Sequence, residues 1–175
     1  MSHKDRILIF TGDGKGKTTA ALGMALRSFG HKIPIVVVQF VKSDCQTGEF
    51  AALTDMAGCQ IILAGLGFVP KPDHPRFADH CRAAEEGLRI AAEAMRSGRF
   101  GLVILDEVCI AVSLHLLAEE AVLAALAGAA EGVTVVMTGR GATAGLIAAA
   151  DTVSEIRMVK HGLQAGLKAQ KGVEY

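Results

Sequence analysis

The sequence predicts an α/β domain, a three-layer sandwich with a mostly parallel sheet of about six strands. Three observations predict it. Short apolar runs alternate with longer stretches of helical periodicity along the whole chain. The runs are continuous rather than alternating, as in strands buried on both faces. Polar segments follow three of them, at the strand ends where parallel sheets bind ligands. A chain of 175 residues is most simply one domain covering 1–175, and a hydrophobic content of 51% can build a sizeable core. Scarce aromatics, with much Ala, Gly and Val, suit helices packed closely on such a sheet.

Residues 7–10 read as a short strand feeding the stretch FTGDGKGKTT at 10–19. Its glycines allow close backbone approach. The loop turns backbone N–H groups and a helix N-terminus toward a polyphosphate. Thr11, Gly12, Asp13, Gly14, Lys15, Gly16, Lys17, Thr18 and Thr19 are therefore candidate nucleotide-binding residues. Lys17 would reach the outer phosphates and the Thr18 hydroxyl a magnesium ion. Thr11 departs from the usual pattern, which has Gly five residues before Gly16.

Lys17–Gly30 follows as a helix with an apolar face of Ala20, Ala21, Met24 and Ala25. After Pro34, residues 35–38 form a β-branched strand. Gln39 and Lys42 lie at its end, as solvated groups or as part of a ligand site. Residues 47–57 read as a short helix and 60–63 as a strand. The stretch 64–75 holds three of the four prolines and reads as an exposed loop. Phe68 on it is either a plug over the core edge or a binding group.

Residues 76–97 form a long helix. Asp73, His74, Asp79, His80 and Cys81 gather at its start, without a strong zinc spacing. A solvated helix start with a capping Asp is the default reading there. The strand at 102–105 ends in Asp106-Glu107, and apolar residues followed by acids downstream of a GKT loop form a magnesium-holding pattern. Residues 116–131 read as an Ala/Leu-rich helix and 133–137 as a strand that ends in Thr138-Gly139-Arg140-Gly141. Arg140 between two glycines reads either as a phosphate contact or as a turn in solvent. A helix at 142–150, a strand at 153–159 and a Gly-interrupted tail complete the chain.

Eighteen basic and eighteen acidic side chains cancel, which argues against a general nucleic-acid binder. No apolar stretch is long and unbroken enough to span a bilayer, and the N-terminal run is too short for a signal peptide. A cytoplasmic protein is expected. Cys45, Cys59, Cys81 and Cys109 make no C-x-x-C pair and are expected to be free thiols.

The segments TGDGKGKTTAALGMALR, VVQFVK, VILDE, TGRG and DTVSEIRMVKHGLQAGLKAQKGVEY resemble, in order and over nearly the whole chain, the P-loop type of corrinoid adenosyltransferase. The resemblance implies a RecA-like P-loop NTPase fold used for transfer of an alkyl group. Reduced Co(I) of a corrinoid attacks the 5′ carbon of ATP, a cobalt–carbon bond forms and inorganic triphosphate leaves. It also implies ATP lying in the orientation opposite to most P-loop enzymes. Magnesium (or manganese) would sit on Thr18 and Glu107, with Asp106 nearby. Arg27 and Arg140 match family positions near the nucleotide. Phe68 matches an aromatic on the corrinoid side that displaces the lower axial ligand and makes Co(II) easier to reduce, so Lys17 and Phe68 are the candidate catalytic residues. The corrinoid would be cobalamin, cobinamide or cobyrinic acid diamide, within adenosylcobalamin biosynthesis or salvage. A flavin-type reductant and a homodimer are further expectations.

Two features depart from the family. Pro70 stands where the family has Trp, and residues 1–6 cannot supply the extra N-terminal helix of some members. A RecA-like ATPase and a non-catalytic corrinoid or nucleotide carrier are the alternative readings.

Overall fold

The computed structural model describes residues 6–160, 162 and 166–173. Residues 1–5 and most of the segment 161–165, on which parts of the expected N-terminus and tail fall, lie outside them. Six strands form one sheet in the order β3-β2-β4-β5-β1-β6, and every neighbouring pair is parallel. In chain order these are β1 (Arg6–Thr11), β2 (Ile35–Gln39), β3 (Cys59–Leu63), β4 (Leu102–Asp106), β5 (Thr134–Thr138) and β6 (Thr152–Glu155). The helices are α1 (Lys17–Gly30), α2 (Gly48–Asp55), α3 (Phe77–Arg96), α4 (Val108–Ser113), α5 (Glu119–Ala127) and α6 (Ala144–Ala149).

The crossover rule sets the layers. From β1 the chain steps outward to β2 and β3, and then returns through β4 and β5 to β6. Right-handed crossovers in opposite directions put their helices on opposite faces. Ala21 and Ala25 of α1 and Leu53 of α2 accordingly pack with Ile35, Val37, Leu102, Ile104 and Val136 on one face. On the other face, Ala84, Leu88 and Met95 of α3, with Val112, Val122 and Leu126 from the following helices, pack with Val36, Val38, Val103, Leu105 and Val135. Successive residues of β1 to β5 thus feed alternate cores. β2 and β4 are buried along their whole length, which explains their unbroken apolar runs.

One element and two boundaries differ from the sequence reading. The expected helix at 116–131 is shorter, because Leu116 and Leu117 are buried in a turn and α5 starts after Ala118. A six-residue helix, α4, precedes it; Val108, Cys109, Ala111 and Val112 are all buried, so it shows no amphipathic period. The last strand ends at Glu155 instead of running to 159. Its partner β1 ends where Thr11 pairs with Glu155, and beyond that point β6 has no strand to bond.

Candidate active site

Register brings the polar residues together. Gln39 pairs with Asp106 across β2 and β4, and Leu105 with Met137 across β4 and β5, so Thr138 stands beside Asp106. The two-residue period puts Gln39, Asp106 and Thr138 on the α1 face, in a row at the C-terminal end of three adjacent strands. Asp106 is fully buried and takes three hydrogen bonds. Its Oδ1 accepts from the hydroxyls of Thr18 and Thr138, each at 2.7 Å, and its Oδ2 from Gln39 Nε2 at 2.9 Å. The Thr18 hydroxyl spends its single proton on Asp106, which leaves its lone pairs free for a cation.

Glu107, the next residue, adopts φ 65°, a left-handed conformation uncommon for a side chain of this kind. Its N–H donates to Thr138 Oγ1 at 2.8 Å, which holds the turn. The turn carries Glu107 into a cleft of about 670 Å³, together with residues 15–19 and Arg140. That volume falls in the ordinary range for small-ligand sites. Burial pushes the Glu107 carboxyl up, and Asp106 adds to it; Lys42, Lys17 and Arg140 pull the other way.

The loop from 12 to 16 opens α1 without a side-chain cap, so the first N–H groups of that helix are left for a ligand. Gly14 donates its N–H to Ile156 O at 2.7 Å, and a Cβ there would lie 2.7 Å from the same oxygen. The loop therefore leans on the chain just beyond β6. Thr11 closes its base: the hydroxyl accepts the Ala142 N–H at 3.3 Å. Lys17 bends back to Gly14 O at 2.6 Å. Burial lowers its pKa and Arg140 adds to that, against Asp13 and Glu107. Arg140 and Asp13 lie 3.9 Å apart in solvent, a pair that contributes little.

Seven expected site residues are not in the cleft lining: Thr11, Gly12, Asp13 and Gly14 in the first part of the loop, Asp106 buried behind Thr18, Arg27 and Phe68. Arg27 is exposed in the last turn of α1. Phe68 is 94% exposed, so it does not plug the core edge. Its loop is strapped to the end of β2 all the same. The Gly67 N–H donates to Val41 O at 2.8 Å, and a Cβ at Gly65 would fall 2.1 Å from the Val41 carbonyl carbon. Gly65→Ala is expected to destabilise the protein by about 1–3 kcal/mol, as overpacking does elsewhere. An unchanged denaturation midpoint would show that the loop does not rest on Val41.

At the start of α3 no capping Asp is found. His74 Nδ1 accepts the Arg76 N–H at 3.1 Å instead, and the described residues contain no group of three or more metal-binding side chains. The four cysteines are free thiols, and burial pushes Cys109 up to about 12. No helix among the described residues is long and apolar enough to cross a membrane.

Sequence reasoning had singled out Gln39 without assigning it, and had missed Glu49, which joins Lys42 in the cleft lining. Gly172 and Val173 of the tail also reach the cleft. The available signal was parity, since Gln39 occupies the same face of β2 as Ile35 and Val37.

A glycine loop, a helix N-terminus and strand-end acids around one cleft define a P-loop nucleotide-binding α/β domain. The match to known sequences is narrower. Residues 3–175 match the family model described as ATP:corrinoid adenosyltransferase BtuR/CobO/CobP, and the chain belongs to that family. It is 40% identical over 172 residues to a corrinoid adenosyltransferase of Pseudomonas aeruginosa, covering 97% of this chain and 83% of that one. Corrinoid adenosyltransferase CobA of Salmonella typhimurium is 40% identical over 172 residues, covering 97% and 85%. A corrinoid adenosyltransferase of a Sinorhizobium species is 38% identical over 176 residues, covering 99% and 81%.

Proposed function

We propose that this protein transfers the 5′-deoxyadenosyl group of ATP to Co(I) of a corrinoid and releases inorganic triphosphate. Besides family membership, one observation carries the reading. The Thr18 hydroxyl is fixed by buried Asp106 at the mouth of an uncapped helix, in the same cleft as Lys17 and Glu107. This is a site for a polyphosphate and its counter-ion, not for a neutral ligand.

The residues 11–19 and the α1 N-terminus would hold the triphosphate, with Arg140 at the cleft wall. Lys17 would exchange its contact with Gly14 O for a phosphate oxygen. In the transition state the C5′–O bond breaks and charge grows along the departing triphosphate. Fixed N–H groups and an ammonium meet that charge without reorganising. The donor set fits magnesium: a hydroxyl with free lone pairs on Thr18 and a cleft-facing carboxylate on Glu107. Asp106 has both oxygens occupied, so its part is to orient Thr18. Bound there, the ion would supply further charge neutralisation on the triphosphate. The Arg27 assignment rests on the motif match alone.

Phe68, exposed on its strapped loop, would meet the corrinoid face, the role that the resemblance implies for it. Phe68→Ala is expected to slow adenosylation from Co(II) more than from prereduced Co(I). Equal losses from both starting states would reduce Phe68 to a packing residue. A homodimer and a flavin-type reductant belong to the same proposal and rest on the family resemblance; a cytoplasmic setting rests on the lack of a bilayer-spanning apolar stretch in the sequence. The test of the function is anaerobic: ATP, magnesium and reduced corrinoid, complete or incomplete, should give a light-sensitive adenosylated product. Failure with every corrinoid would remove the proposal.

A further inference from the structure

The cleft holds a cation, at the end of the VVQFVK segment, whose role the motifs leave unassigned. Lys42 lies just past the end of β2, on the segment that also carries the Phe68 loop through Val41. Its Nζ donates to Glu49 Oε1 at 2.6 Å, and both side chains are mostly shielded from solvent. Glu49 is itself tethered. Burial works against its charge, but the bond from Lys42 and the backbone N–H at the start of α2 hold its carboxyl below the usual range. Burial works against the Lys42 charge as well, and Glu49, Asp106 and Glu107 more than restore it. Lys42 is therefore a fixed, charged ammonium beside the acids of the site.

An ammonium has three N–H donors. One goes to Glu49, and among the described residues no second acceptor meets the others. They belong to a side chain that lines the same cleft as Lys17, Thr18 and Arg140. A surface pair would not explain this arrangement, because neither partner is fully exposed and both face the nucleotide cleft. A counter-ion for the strand-end acids alone would not need a separate tether to α2. Unspent donors on a tethered cation call for an anionic ligand.

We infer that Lys42 is a nucleotide-contacting residue, which donates to an oxygen of the ATP triphosphate from the β2 side of the cleft while Glu49 holds it in place. This rests on the proposed function for the identity of the ligand, but its geometry is independent of the corrinoid. The triphosphate is thereby gripped from two sides, by Lys17 on α1 and by Lys42 at the end of β2. The second grip also lies one residue from Val41, on which the Phe68 loop rests.

Inorganic tripolyphosphate with magnesium, titrated calorimetrically into the full chain, tests the inference without any corrinoid. Lys42→Met is expected to weaken binding about tenfold to a hundredfold, the loss of a charge-assisted hydrogen bond. Lys42→Arg, which keeps the charge, should recover most of it. Glu49→Gln leaves Lys42 charged and should bind at least several-fold more tightly than Lys42→Met. Should Lys42→Met not fold, by its melting transition, Lys42→Gln takes its place. Binding by the neutral variant within about twofold of the wild type, or equal losses in Lys42→Met and Glu49→Gln, would overturn the inference and leave a structural strut. The anaerobic reaction of the wild type separates the two claims. Tight, Lys42-dependent tripolyphosphate binding without adenosylated product removes the proposed function only. Product formation with Lys42-independent binding removes this inference only.

Discussion

Lys17→Ala is expected to lower adenosyl transfer by about a hundredfold to a thousandfold at saturating ATP, the scale for removing one preorganised donor from a developing charge. The reasoning concerns the transition state. ATP already carries its phosphate charges when it binds, and in the proposed mode the loop N–H groups would meet much of that. The additional charge appears as C5′–O breaks, and it appears on the triphosphate. Lys17 is placed to follow it, because its ammonium already lies over the loop at Gly14. The loss should therefore fall mainly on kcat, with a smaller effect on KM for ATP. Single-turnover kinetics with prereduced corrinoid measures the chemical step alone. Near-wild-type rates there would refute the role of Lys17.

Asp106→Ala should be the most damaging of these changes to the fold. Three donors point at its carboxylate, from Thr18, Thr138 and Gln39, in a place with no access to water. Removing the acceptor strands the buried Thr138 and Gln39 donors, while Thr18, which faces the cleft, can turn to water and the cost of burying the charge is recovered. Each stranded buried donor costs about 1–3 kcal/mol. Activity should fall too, because the Thr18 hydroxyl loses its fixed orientation. Asp106→Asn keeps the shape but replaces one acceptor with a donor, and should lie between the two. Denaturant unfolding reads the order wild type, Asn, Ala. An Ala variant as stable as the wild type would mean that the network does not hold the strand ends together.

Much of this was legible in the sequence. The strands showed as unbroken apolar runs because a parallel sheet covered on both sides leaves no polar face. The loop, Asp106-Glu107 and Arg140 each followed such a run, so one sheet edge had to collect them. α4 was not legible: a six-residue helix with four residues buried is too short to show a period. The start of α5 was hidden inside an apolar stretch, although Glu119 and Glu120 in its first turn were a usable sign. The end of β6 depended on where β1 stops, which is a property of register. The network around Asp106 was half visible. Parity within each strand puts Gln39 and Thr138 on the α1 face, but their adjacency needs the strand order. Lys42 and Glu49 come together only through the β2–α2 turn, and no local pattern announces that pair.

Phosphorus NMR of the products of one anaerobic reaction tests the central claim most directly. ATP, magnesium and prereduced corrinoid should yield inorganic triphosphate in step with the adenosylated corrinoid, and no ADP. ADP and phosphate formed at the same rate with or without the corrinoid would contradict the account, and would make this cleft the site of an ATPase.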